Sequence, residues 1–459
     1  MLKGKEVIHF IKERMWLKYS LMIVLFTFLF LFAQKPVTPT RTYCGEYIKV
    51  SKIGFVLFCD SYQYIYLTSK PSLLLDSNFV AVRQNRPLYI YTAHLIGLPI
   101  KYVVDAIIST DVFKRLGGEK YLYQQSINEK LASSPFLKMY NIDNHKNLVV
   151  ELLPFYCAFI LMNFIILLGS LVLFERLLSA IGIRQFVIHF LSIFIVCSGI
   201  VKAFFFSAHE QMFAFFTPIS IAYIVFLFLN DKLTQKKLIY ISFIMGILCL
   251  AYGSFILYFP CLGIAYLVKQ KSIRIHFRLI ADLFPQAILF ILPTFSWIVV
   301  CIYFSGHYFN GEVAVFREFV WVIDALSIGI SHFFEVSLDF LFRYLNTVLI
   351  TLTPFLTGIY LINKKIRQSA APVTSHQLYY QFIRWMFLLF FVFFFVLGYY
   401  NFRLTYTCVP MLLILIAMKI QQLLDNNYFD EAKLYKRLKI ISVIWIIWSV
   451  FKYGPFPFQ

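Results

Sequence analysis

Apolar runs separated by short polar links occupy most of the chain. They fall at about 20–33, 149–174, 185–206, 211–229, 238–251, 254–268, 283–304, 338–362, 382–399, 403–420 and 438–452. Runs of this kind, poor in charge, suit helices that cross a hydrocarbon core of about 30 Å. The pattern therefore predicts an all-α integral membrane protein with about eleven transmembrane helices. The apolar stretch 238–268 is broken by "AYGS" (251–254), where Gly253 and Ser254 favour a turn, and it reads as two short helices. No repeat or linker divides the chain, so 1–459 reads as one membrane domain. The one wide interval, 34–148, lies between the first and second spans.

The cations orient the spans. Lys3, Lys5, Lys12, Arg14 and Lys18 precede the first run, and no small-x-small cleavage site follows it. This predicts a signal anchor with a cytoplasmic N-terminus. Alternate links then carry Arg176 and Arg184; Lys232, Lys236 and Lys237; Lys269, Lys271, Arg274 and Arg278; Lys364, Lys365 and Arg367; and Lys433, Lys436, Arg437 and Lys439. The opposite short links hold only Arg317 and Arg403. Cytoplasmic links are the basic ones, so the interval 34–148 is predicted to be a large extracytoplasmic loop. It contains "RPLYIYTAHLIGLPIKYVVDAII" (86–108), apolar enough to cross. A crossing there would invert every later link. The segment is therefore expected in the outer interface or re-entrant, with Tyr89, Tyr91 and Tyr102 at headgroup level.

Composition agrees: 60% hydrophobic, 19% aromatic and 14% charged residues, where a soluble domain has about 45–50% apolar and about 25% charged. The net charge of +19 arises in the links and forms no basic platform interleaved with aromatics, which argues against nucleic acid. Six of the eight cysteines (Cys157, Cys197, Cys249, Cys261, Cys301 and Cys408) sit in or beside apolar runs as small fillers. Cys44 and Cys59 share the long loop and could pair in an oxidising compartment. No CxxC or Cys/His cluster points to zinc, and no metal or other cofactor is expected. Abundant Phe, Ile, Lys and Tyr fit an AT-rich bacterial genome, hence a multi-pass protein of the bacterial cytoplasmic membrane.

Polar groups in a membrane protein ask for a reason. The predicted topology gathers several on the outer side: Asp60 in "CDSYQYI", Arg86, His209 and Glu210 in "SAHEQMFAF", and Arg403. Each has a plainer reading. Asp60 fits a helix N-cap or a solvated loop acid. Ser207 and Glu210 match a capping box opening a helix. Arg403 fits a snorkelling anchor, and Arg86 an exposed loop cation. His189 and Lys202, within the run 185–206, fit partners inside the bundle. Taken together, an acid at the membrane surface can accept a proton from a hydroxyl. Cations beside it can hold a lipid phosphate and offset the charge that develops as it leaves. That combination suits group transfer from a phospholipid-linked donor. No GxxxxGK[ST], GxSxG or HExxH sequence supports nucleotide hydrolysis, an esterase or a zinc protease.

The layout resembles the GT-C superfamily of membrane glycosyltransferases, which includes protein O-mannosyltransferases and aminoarabinose transferases. A first span precedes an outer loop with an acid followed by tyrosine, "CDSYQYI". Then come "RQNRPLYI" (83–90), "FILMNFIILLGSLVLFERLLSAIGI" (159–183), "AHEQMFAFF", "GILCLAYGSFILYFPCLGIAYLV" (246–268) and "NFRLTYTCVPMLLILIA" (401–417). The resemblance implies inverting transfer of a sugar from a polyprenyl-phosphate donor to an envelope glycan, lipid or protein on the outer face. It makes Asp60 the general base and Glu210 a second catalytic carboxylate. Arg86 and Arg403 become the donor-phosphate ligands, and Tyr64, Tyr89 and His209 contact donor or acceptor. The chain departs from the pattern by lacking a DxD or ExD near residue 60 and a basic residue in "GSFI". The late outer link, 305–337, is also short. Two other classes compete: a lipid-linked oligosaccharide flippase or other transporter, which would carry charges deep in several spans, and a polysaccharide polymerase or ligase, whose large outer loop usually comes late.

Overall fold

The computed structural model describes residues 14–33, 46–50, 53–57, 59–115, 147–271, 277–315, 317–368, 376–398, 400, 402–428 and 430–452. Among these, seven helices are long and apolar enough to cross a membrane: Pro87–Ser109, Val150–Ala180, Glu210–Leu229, Leu279–Ser305, Ile330–Lys364, Gln377–Leu397 and Arg403–Asp425. The protein is thus a helical membrane protein. Its one sheet among the described residues is an antiparallel hairpin, β1 (Glu46–Val50) with β2 (Ile53–Leu57), in which Ile48 pairs with Phe55. The sequence reading had no strand there.

The main helices are α1 (Met15–Ala33), α2 (Cys59–Ser69), α3 (Pro87–Ser109), α4 (Leu153–Ala180), α5 (Gln185–Val196), α6 (Gly199–Phe204), α7 (Phe213–Leu229) and α8 (Gln235–Cys249). They continue with α9 (Tyr258–Gln270), α10 (Phe277–Ser305), α11 (Val320–Ile328), α12 (Ile330–Gln368), α13 (Gln377–Leu397), α14 (Val409–Asp425) and α15 (Glu431–Lys452). A helix apolar on all sides belongs in the centre of a bundle. The α7 sequence, "FAFFTPISIAYIVFLFL", has that character, and 72% of its span is buried. The span containing α14 is 83% buried, whereas those of α3 and α10 are 11% buried and lie at the periphery. Helices α7 and α14 pack against each other and form the core.

Two elements differ from the sequence reading. The run 185–206 is not one helix. It breaks after Val196, and Ser198 caps the short α6 by accepting from the Val201 amide. The "AYGS" turn does separate α8 from α9, but at 15 and 13 residues each is too short for a full crossing.

The contacts of α3 run antiparallel to α4. Tyr89 lies against Phe159, with ring centroids 5.0 Å apart. Further along, His94 stacks on Phe155, and Lys101 donates to the Val150 carbonyl at 3.3 Å. Gly97 lets the two helices close up, since a Cβ there would sit 2.3 Å from the Phe155 ring. Successive residues of α3 thus meet ever earlier residues of α4 and then of the helical turn Asn147–Leu152 before it. The helix climbs past the start of α4 instead of following it to its far end. At that far end, Lys18 of α1 pairs with Glu175 and lies 3.0 Å from His189 Nε2. Lys202 donates to the Ser449 and Val450 carbonyls at 3.2 and 2.6 Å, closing the last turn of α15. His189 and Lys202 are therefore bundle partners.

Candidate functional site

The starts of α3, α7 and α14, the ends of α10 and α13, and the α8–α9 turn all meet at one end of the bundle. They enclose a cavity of about 220 Å³. A tight turn at 81–86 leads into α3, with Gln84 N donating to Ala81 O and Arg86 N to Arg83 O. Gln84 is fully buried and holds this turn in place. Its amide donates to Leu74 O at 2.7 Å and accepts from the Phe309 amide at 2.6 Å, while Trp297 Nε1 donates to its carbonyl at 2.7 Å. Pro87 opens α3 at a position where a missing N–H does no harm. Arg83 and Arg86, both 5% exposed, are thereby delivered to the cavity.

Opposite them, the segment after α10 forms a one-turn helix at Gly311–Ala314. Asn310 Oδ1 caps it by accepting from the Glu312 amide at 3.1 Å. That turn aims the Glu312 carboxylate at the arginines. Glu312 pairs with Arg86, lies 3.5 Å from Arg83 Nη1 and accepts from Asn85 Nδ2 at 3.1 Å. Burial alone would lower the Arg86 pKa, but the Glu312 carboxylate, with Glu210 adding to it, holds it above the ordinary range, so the guanidinium stays charged. Gly253 in the α8–α9 turn leaves room for this arrangement, because a Cβ there would be 3.2 Å from Arg86 Nη1. Arg86 also lies over the Tyr252 ring at 5.8 Å.

The third cation, Arg403, stands just before α14 and meets His209 Nε2 at 2.8 Å. His209 Nδ1 is 3.5 Å from Glu210 Oε2, and Gln211 Nε2 donates to the Arg403 carbonyl at 3.0 Å. His209 and Glu210 are almost fully buried. The capping box read from Ser207 and Glu210 does not form: the Ser207 hydroxyl donates instead to Phe204 O at 2.8 Å, and no side-chain cap opens the turn at Glu210. A third carboxylate, Glu318, also lines the cavity. Burial and the neighbouring Glu312 push its carboxyl up to about 7 against the pull of the arginines. Phe393, Phe394 and Leu397 of α13 supply an apolar wall.

Arg86, Arg403, His209 and Glu210, which the sequence placed together, do converge on this cavity. Tyr64 and Tyr89 stand behind it, buried edge to face at 5.2 Å with Arg83 over the Tyr64 ring at 5.4 Å, and neither is among the described lining residues. Asp60 is in the first turn of α2, four residues before Tyr64. Its side chain lies outside the described residues, as do Cys44 and the thiol of Cys59. The sequence reading missed Arg83, Tyr252, Glu312 and Glu318. "GEVAVFREF" (311–319) carried the signal for the two acids. Among the described residues no group of three or more His, Cys, Asp or Glu side chains could hold a metal. Three guanidiniums around one cavity can instead hold a phosphate by charge-assisted, forked hydrogen bonds. No known protein family matches the sequence, and neither a curated protein nor a solved structure matches it.

Proposed function

We propose that this chain is a membrane glycosyltransferase. It would move a sugar from a polyprenyl-phosphate donor to an envelope glycan, lipid or protein, with inversion at the anomeric carbon. The observation that carries this reading is the convergence of Arg83, Arg86 and Arg403 on one cavity with Glu210, His209 and an apolar wall at a helix-bundle end. The arginines match a phosphate, the wall matches the isoprenoid next to it, and the carboxylates match an acceptor hydroxyl.

In this reaction the acceptor oxygen attacks the anomeric carbon. The bond to the donor phosphate breaks with its electron pair passing to the phosphate oxygen, and the acceptor proton passes to the base. We assign the base to Asp60, in the turn that leads to Tyr64. Glu210 orients the acceptor. Arg86 and Arg403 neutralise the leaving phosphate, which is where charge grows as the bond breaks. Arg86 is already paired with Glu312, so donor binding exchanges one anion for another at a preset guanidinium.

The site faces outward in this proposal, with a cytoplasmic N-terminus, the 34–148 segment outside, and the α8–α9 pair entering and leaving from the cytoplasmic side as a hairpin in place of two full crossings. The climb of α3 past the start of α4 supports that parity, because α3 then needs no compensating return. Reporter fusions at Lys237 and Arg367 should read cytoplasmic and a fusion at Asn128 external. Agreement between Asn128 and Lys237 would defeat the topology.

The function is tested with the purified full chain in lipid nanodiscs, supplied with radiolabelled polyprenyl-phosphate sugars, together with mass spectrometry of envelope glycans with and without the gene. Label transfer, or loss of one sugar modification, is expected. Unchanged glycans and no transfer from any donor tried would reject the assignment.

A further inference from the structure

A second cavity of about 890 Å³ opens between α12, α13 and α14 at the other end of the bundle. Arg384 and Lys419 line it. Arg384 is seven residues into α13 and Lys419 six residues before the end of α14. At 1.5 Å per residue both stand about 10 Å from the ends of their helices, just within the apolar runs 382–399 and 403–420. A charge at that depth is costly without a counter-charge. The three arginines of the first cavity face Glu210, Glu312 and Glu318. Here, among the described residues, no carboxylate lines the cavity, and none pairs with Arg384 or Lys419.

The hydrogen-bond and ring partners of Lys419 are neutral, and the like charge of Arg384 stands near it. Lys419 donates to Gln422 Oε1 at 3.4 Å and lies 4.6 Å from the centre of the Tyr380 ring. The walls are apolar and in part exposed: Leu356, Leu388 and Trp385 are 39%, 45% and 54% exposed. Trp385 and Gln381 also line an adjoining cavity of about 630 Å³, which adds a third cation, Lys271, from the end of α9. The combined groove therefore has a cationic floor set inside the span and greasy sides open to the surroundings.

We infer that this groove binds an anionic phospholipid of the bilayer, its phosphate between Arg384 and Lys419 and its acyl chains along Trp385, Leu388 and Leu356. The charge complementarity selects the occupant. A free phosphate would satisfy the cations and leave the apolar walls bare. A zwitterionic lipid would bring its own cation to a site that already holds two. Basic pockets between membrane helices commonly take acidic headgroups in this way. The inference stands independently of the transferase assignment, since it concerns the opposite end of the bundle.

The test uses the full chain in nanodiscs containing phosphatidylcholine with or without phosphatidylglycerol, read by native mass spectrometry of retained lipid. Phosphatidylglycerol should remain bound to the wild type in preference to phosphatidylcholine. Each cation contributes about a fivefold factor, so R384Q or K419Q should lower retention about fivefold and the double variant about 25-fold. Arg384 is exposed, and R384K, which keeps the charge, should retain most of the binding, a control for folding. Equal retention of the two lipids by the wild type would overturn the inference, as would unchanged retention in the double variant. Release of phosphatidylglycerol by millimolar inorganic phosphate would overturn it in favour of a free-ion site.

Discussion

The Arg86–Glu312 pair joins residues far apart in sequence and fixes the geometry of the candidate phosphate site. Its side chains are 6% and 20% exposed. Removing one member of a buried pair strands the other and costs about 3–5 kcal/mol. The two halves are not equivalent. Glu312→Gln leaves Arg83 and Arg86 facing each other with their shared anion gone, so about 4 kcal/mol is expected. Arg86→Gln leaves Glu312 with Arg83 still 3.5 Å away, so the loss should sit near the lower limit, about 3 kcal/mol. The double variant buries fewer stranded charges than the singles imply. It should lose about 4–5 kcal/mol instead of the sum of about 7, a coupling of about 2–3 kcal/mol. Unfolding in mixed SDS micelles, followed by far-UV circular dichroism, measures all four proteins of the cycle. Additive losses, within about 0.5 kcal/mol, would mean that the pair does not couple in the folded protein, and the counter-ion exchange at Arg86 would lose its basis.

Asp60→Asn should lower sugar transfer about a hundredfold or more while donor binding holds, as expected for loss of a general base; near-wild-type turnover would shift the assignment to Glu210. Arg403→Ala should reduce transfer about ten- to a hundredfold, with Lys restoring only part of it for lack of the guanidinium fork, and unaltered kinetics would exclude Arg403 from the phosphate site. Glu318 is raised from the ordinary carboxyl range to about 7, so the folded protein holds a proton there that the unfolded chain releases. Its stabilising contribution is complete below about pH 4.5 and fades as pH climbs through 7. Wild-type stability should therefore fall more steeply between pH 5 and 8 than that of Glu318→Gln, and parallel slopes would contradict the burial of that carboxyl.

The parts of the fold legible in the sequence are those governed by local pattern. Apolar runs located α4, α7, α10 and α13, because a helix in lipid must be apolar over its length. Gly253 and Ser254 marked the α8–α9 turn. The 87–109 segment looked like a span by composition, and only the alternation of cations in later links argued against it. By length and composition the helix Pro87–Ser109 remains among those able to cross. The break at Ser198 was not visible, since apolar residues continue on both sides and the cap is a single hydroxyl. The site was half legible. Arg86, Arg403, His209 and Glu210 could be grouped by topology, without knowledge of any contact. Glu312 and Glu318 escaped because orientation depends on Lys and Arg, and acids in short links carry little weight in that rule. Their importance comes from a 226-residue separation between Arg86 and Glu312, which no local pattern encodes.

The short α8–α9 hairpin sets the depth at which lipid and protein meet. Fifteen residues of α8 rise about 22 Å, some 8 Å less than a hydrocarbon core of about 30 Å. If α8 starts at one interface, the turn that supplies Tyr252 and Gly253 to the cavity ends short of the other. Under the proposed function, a lipid phosphate docking beside it would sink toward the acyl region, and the leaflet around that corner would thin or dimple to follow. A thick bilayer resists such a dimple more than a thin one. If the proposed function holds, the cavity's access to a lipid-borne donor would be tied to membrane thickness, and acyl-chain length would act as a control on the protein through bilayer mechanics without altering any residue.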